Sequence, residues 1–149
     1  MNKNNKQSVS ILIPISIGEL IDKITILEIK ILNVKDIKRE NVEKEMKILK
    51  NILKEKNLNI DIDLVASLKQ INNKLWLIED QIRIKEYKQI FDDEFIQLAR
   101  SVYLENDKRA SLKKAINQKY NSYLVEEKSY NYYKQQSTKS DNKTNSIKI

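Results

Sequence analysis

The sequence predicts an all-α fold: an antiparallel up-down bundle of about four helices, with a short extended N-terminal segment and a disordered C-terminal tail. Two observations carry this. Apolar residues recur at steps of three and four along four stretches joined by short polar links. Helix-start signals stand just ahead of two of those stretches. Residues 1–9 and 135–149 are polar and predicted disordered, leaving 10–134 as one helical domain.

Residues 9–15 are rich in β-branched side chains, and Pro14 disfavours helix at Ile13, so this segment is extended. It either adds a short strand or lies across the helices. The first helix opens on Ser16 and Glu19, the spacing of a capping box, and runs to about Asn33. Ile17, Leu20, Ile21, Ile24, Leu27 and Ile31 form its stripe. The second helix, about 37–56, carries one narrow stripe through Val42, Met46, Leu49 and Leu53, which makes it an outer helix.

The third, about 63–88, has a seam through Leu64, Leu68, Ile71, Leu75, Ile78 and Ile82, with Trp76 on one flank and Leu77 and Ile84 on the other. Apolar on more than one side, it is expected at the centre. Asp92 caps the fourth helix, which has two more acids in its first turn and runs to about Tyr120. The short links make successive helices antiparallel neighbours. The Tyr-rich residues 121–134 are expected to pack back on the bundle as apolar cover with wet hydroxyl edges.

Composition excludes several functions. There is no cysteine and no histidine among the 149 residues, which removes disulfides, thiolate sites and the commonest metal ligand and general base. No metal or cofactor is expected. Gly18, the single glycine, rules out a Gly-rich phosphate loop. No apolar run is long enough to span a bilayer, and no secretory signal is read, so the expected location is the cytoplasm without membrane insertion. The net charge is +7, of which the two polar ends carry +4. The body mixes both signs with no basic stripe, which argues against nucleic acid as a partner.

The informative feature is a break in the fourth helix. Continuing its apolar steps from Phe95, Leu98 and Val102 gives Glu105 and then Arg109, before Leu112 and Ile116 resume. A polar group in a seam is costly unless satisfied. With the turn near residue 90, residues 105–109 lie level with about 71–75. Asn72, Trp76, Glu79 and Arg83 share one flank of the third helix. They are set against Arg100, Tyr103, Asn106 and Arg109, with Asp80 adjacent to Glu79. Three of the four arginines of this lysine-rich chain fall here, and Arg forks suit phosphate and carboxylate.

The cluster reads in three ways: a satisfied network that fixes helix register, a site for an anionic sugar-type small molecule, or an interface with a second copy or an enzyme partner. No nucleophile–base–orienter set is found. Catalysis, if present, would use Glu79 or Asp80 as acid or base, with Arg83, Arg100 and Arg109 as clamps. At the N-terminus of the first helix, Ser16 and Gly18 suggest an anion site, but Glu19 repels one and capping is the simpler role.

Three segments carry a family resemblance: PISIGELIDKITILEIK (14–30), NNKLWLIEDQIRIKE (72–86) and FIQLARSVYLENDKRASLKKAIN (95–117), followed by VEEKSYNYY (125–133). They resemble a family of small bacterial proteins known only as a domain of unknown function. Genes of that kind often lie near glycosyltransferase and surface-polysaccharide genes, which implies an accessory role there. The resemblance carries Asn73, Trp76, Glu79, Asp80, Arg83, Arg100, Asn106, Asp107 and Arg109 as its polar motif residues.

Overall fold

A computed structural model describes residues 8–129. Four helices follow one another: α1 (Ile17–Asn33), α2 (Asp36–Glu55), α3 (Ile62–Tyr87) and α4 (Asp93–Lys119). No strand is present among the described residues. The expectations for residues 1–7 and 130–149 lie outside the described residues.

The predicted caps explain where the helices start. The Ser16 hydroxyl accepts from the Glu19 N–H at 3.1 Å, and the Asp92 carboxylate accepts from the Phe95 N–H at 3.0 Å. The ends are set by a different device. After α2, α3 and α4 the chain turns into the left-handed region at Asn57, Gln89 and Asn121, with φ of 51°, 54° and 49°. In each case the next N–H reaches back five residues: Leu58 to Leu53, Ile90 to Lys85 and Ser122 to Asn117. These are Schellman closures built without glycine. The only glycine is needed elsewhere. A Cβ on Gly18 would stand 2.5 Å from the Lys113 carbonyl oxygen, so its absence lets α1 approach the α4 backbone.

The centre of the fold is α1, not α3. It packs on all three other helices, whereas the backbone of α2 approaches α1 alone. Leu20, Ile21, Ile24, Leu27 and Ile29 of α1 are all buried. The row Gly18, Asp22, Thr25 and Ile29, opposite the expected stripe, is buried as well. With three neighbouring helices, α1 keeps only a narrow outer strip open, the row of Glu19, Lys23, Ile26 and Lys30, of which Lys23 is exposed. α2 has no buried residue, as its narrow stripe predicts. The core cluster joins Ile21, Leu68 and Ile116 from three helices, with Leu53 of α2 reaching it from outside. Each such side chain contributes roughly 1.5–3 kcal/mol by leaving water.

α3 and α4 form a long antiparallel hairpin, each helix about 40 Å in length at 1.5 Å per residue. α1 is only about 25 Å long. Past Ile78 on α3 and before Glu105 on α4 no residue is buried, so the hairpin tip projects beyond α1. The continuous seam of α3 does not make it central: α3 packs on α1 and α4, whereas α1 packs on all three other helices. Residues 9–15 form neither helix nor strand, and residues 9–13 are largely exposed rather than laid across the helices. The Tyr-rich segment is also only partly as expected. Tyr120 is half-buried and accepts the Asp61 N–H at 2.7 Å, but Tyr123 is almost fully exposed. The chain returns to the bundle through Glu126 and Glu127, which pair with Lys113 and Lys114.

Candidate functional site

The break in α4 is explained by a carboxylate on α1. Asp22 is fully buried. Arg109 grips it side-on: Nε donates to Oδ1 at 2.9 Å and Nη2 donates to Oδ2. Asn72 of α3 donates from Nδ2 to Asp22 Oδ1 at 2.9 Å and to Thr25 Oγ1 at 3.0 Å. The Thr25 hydroxyl donates in turn to the Asp22 carbonyl at 2.8 Å. One buried carboxylate thus ties three helices together. Asp22 is the first cause of the raised Arg109 pKa, outweighing the opposing effect of burial.

Glu105, the other break, is buried and faces Lys74 at 2.6 Å and Lys108 at 2.9 Å. Hydrogen bonds from Lys74 and then Lys108 hold its carboxyl below the usual range. The register read from the turn near residue 90 is the observed one, since residues 105–109 lie level with 72–74.

Two further groups close this end of the bundle. Lys113 donates to Glu19 and, at 3.0 Å, to Glu126. Burial pulls its pKa down, but the two carboxylates outweigh that and raise it. Asn117 accepts the Gly18 N–H at 2.6 Å, while Ser122 accepts the Ile17 N–H at 3.0 Å. With Ser16 on Glu19, the first N–H groups of α1 are all taken, so capping is the role of this terminus. The Asn117 Nδ2 is buried with no partner among the described residues.

Beside this network lies a cavity of about 770 Å³ along one face of α4. Val102, Tyr103, Asn106, Asp107, Arg109, Ala110 and Lys113 line it, with Lys128 across from them. Arg109 spends Nε and Nη2 on Asp22, while Nη1 lies 3.4 Å from Asn106 Oδ1, and both residues line the cavity. The buried aspartate therefore fixes the orientation of a guanidinium on the cavity wall. Glu126 sits between Lys113 and Lys128, and its carboxyl is pulled down to about 2 by hydrogen bonds from Lys128 and then Lys113.

The sequence-derived candidates divide into three groups. Asn72 and Arg109 meet at Asp22. Tyr103, Asn106 and Arg109 share the cavity wall. Glu79 and Arg83 pair with each other along the exposed surface of α3, Asp80 and Arg100 are exposed, and Trp76 is half-buried outside the cavity wall. Asp22, Thr25, Lys113 and Asn117 were not read from the sequence, and Glu19 was read only as half of a capping box. The signal for Asp22 and Thr25 was the second row of α1, where Gly18, Asp22, Thr25 and Ile29 recur at steps of four, three and four. That row is as regular as the apolar stripe, but it mixes small, polar and apolar residues.

Fold and site together define a small all-α domain with a buried Asp–Arg hub and a cavity rimmed by cations. No helix among the described residues is long and apolar enough to cross a membrane. The sequence matches the family of unknown function DUF6165 over residues 11–148, and the chain belongs to that family. Comparison with curated proteins and with solved structures finds no match to either.

Proposed function

We propose that the chain binds a phosphorylated or nucleotide-linked sugar in the α4 cavity, as a cytoplasmic accessory factor in surface-polysaccharide metabolism. The observation that carries this is the set of side chains on one cavity wall. Arg109, Lys113 and Lys128 are cations. Asn106 and Asp107 suit sugar hydroxyls, and Tyr103 offers a ring face. A volume of about 770 Å³ lies within the range of small-molecule sites. Glu126 supports the reading, because it is already an anionic group seated between Lys113 and Lys128. A ligand phosphate takes that place and displaces the carboxylate. The accessory role rests on the gene neighbourhood implied by the family resemblance.

The test is calorimetry against nucleoside-diphosphate sugars and sugar phosphates. Tyr103→Ala and Lys128→Ala should weaken binding while lowering the unliganded unfolding midpoint far less than Arg109→Ala does. Glu126→Gln should tighten binding several-fold by removing the competing carboxylate. Binding that is absent across the whole ligand set, or that Glu126→Gln leaves unchanged, overturns the proposal. A second reading, an interaction module docking on a larger enzyme, is favoured by Leu77 and Ile84. Both stand more than half exposed on α3.

A further inference from the structure

The α4 cavity has two unlike walls. One is a helix packed into the bundle. The other is Lys128, carried on the chain that follows α4. That chain is fixed as far as its first turn. The Ser122 N–H donates to the Asn117 carbonyl at 2.8 Å, and the Ser122 hydroxyl, which accepts the Ile17 N–H, donates to the Leu124 carbonyl at 2.7 Å. Beyond this the anchoring changes. Residues 125–129 form neither helix nor strand, and all are exposed. Among the described residues, no backbone–backbone hydrogen bond reaches them.

Ion pairs hold this stretch instead. Glu126 reaches Lys113 at 3.0 Å, Glu127 reaches Lys114 at 2.8 Å, and Lys128 pairs with Glu126. The last pair is internal to the stretch, so the first two are what tie it to α4. They differ in place. Lys113 is on the cavity wall with a side chain only 10% exposed, whereas Lys114 and Glu127 are exposed and not on that wall. An exposed pair of long side chains biases an equilibrium by roughly two- to five-fold, and salt screens it. A segment held in this way opens while the bundle beneath it stays folded.

The pairing also makes the closed position conditional. Both latch carboxylates are on the stretch, and both latch cations are on α4. An incoming anion competes with Glu126 for Lys113. Once it displaces Glu126, Lys128 loses the same carboxylate and faces the anion across the cavity. The stretch then has a new reason to close, with Lys128 on the ligand in place of Glu126 on Lys113.

We infer that residues 125–129 are a lid on the α4 cavity, latched shut by Glu126 on Lys113 and Glu127 on Lys114, which a phosphate group lifts on entering and which re-closes with Lys128 on that phosphate. The latch rests on the ion pairs alone, whereas the re-closing rests on the sugar-phosphate reading of the cavity.

The test uses Ala110, a small residue on the cavity wall, in a chain with no native cysteine. Ala110→Cys in the full chain is labelled with a bulky maleimide and, separately, with small iodoacetamide. The ratio of the two rates cancels changes in thiol reactivity and reports access to the cavity. Adding Glu127→Gln, which lies off the cavity wall, should raise the ratio about two- to five-fold. Raising NaCl from about 0.05 M to about 0.5 M should raise it with the latch residues intact. Lys47→Cys, exposed on α2, should show neither change. A ratio unmoved by Glu127→Gln, or unmoved by salt, overturns the lid. In the Glu127→Gln protein, millimolar inorganic pyrophosphate should lower the ratio again, and Lys128→Ala should abolish that drop. Pyrophosphate without effect overturns the re-closing and counts against the phosphate reading, while the latch stands on the first comparison.

Discussion

Removing Arg109 should cost far more stability than removing an ordinary surface arginine, because of what it leaves behind. In Arg109→Ala, Asp22 remains fully buried with only the Asn72 amide on its carboxylate. Breaking a buried ion pair on one side typically costs 3–5 kcal/mol, that is about a third or more of the stability of a domain this size. A loss of roughly 4 kcal/mol lowers the midpoint by about 10–20 °C. The assay is urea unfolding followed by circular dichroism, run as a cycle with Asp22→Asn. Asparagine keeps the shape and a hydrogen-bonding side chain but removes the charge. In the Arg109→Ala background Asp22→Asn should therefore recover part of the loss, whereas in the wild type it should destabilise. Arg109→Ala costing under about 1 kcal/mol, or Asp22→Asn making the Arg109→Ala protein worse, would refute the reasoning. The same coupling makes Arg109 a poor probe of the cavity, since any loss of binding would be mixed with loss of fold. Lys128, whose ion pair is with Glu126 rather than with Asp22, is the cleaner probe.

Two other outcomes follow from the same network. Gly18→Ala should destabilise by about 1–3 kcal/mol, since the new methyl would stand 2.5 Å from a backbone oxygen of Lys113 and the two helices must part. Alanine's better helix propensity offsets at most about 1 kcal/mol of this, so thermal unfolding showing a stabilised Gly18→Ala would contradict the packing. Acid should weaken the domain below the ordinary carboxylate range. Glu105 and Glu126 are held down by their lysines, and in Glu28 the opposing effect of burial is outweighed by Lys69 and Lys50. Their contribution is complete above the unfolded pKa near 4.5 and is lost as pH falls through the folded values, which for Glu126 means down to about 2. Urea midpoints that stay constant between neutral pH and about 2.5 would exclude it.

The helices and their starts were legible because the evidence for them is local. Ser16 and Asp92 sit in sequence next to the N–H groups they cap. The polar break at Glu105 and Arg109 was legible too, since a periodic seam makes its exceptions visible. What Arg109 reaches was not. Helical periodicity tells which residues share a face, but not which helix lies against that face. The flank carrying Glu79 and Arg83 pairs within itself on the outer side of α3, while the row carrying Asp22 meets Arg109.

The sequence by itself determined four helices, the caps of α1 and α4, an outer α2 and an uncharged arm ahead of α1. Tertiary structure alone decided that the shortest helix is the centre and that Asp22 is the hub. It also decided that the cavity opens along α4 rather than at Trp76. The physical reason is packing of α1 against three neighbouring helices. Gly18 brings α1 within contact of α4, and that approach turns a row of small and polar residues into buried ones. A buried carboxylate must then find its arginine wherever the fold has placed one.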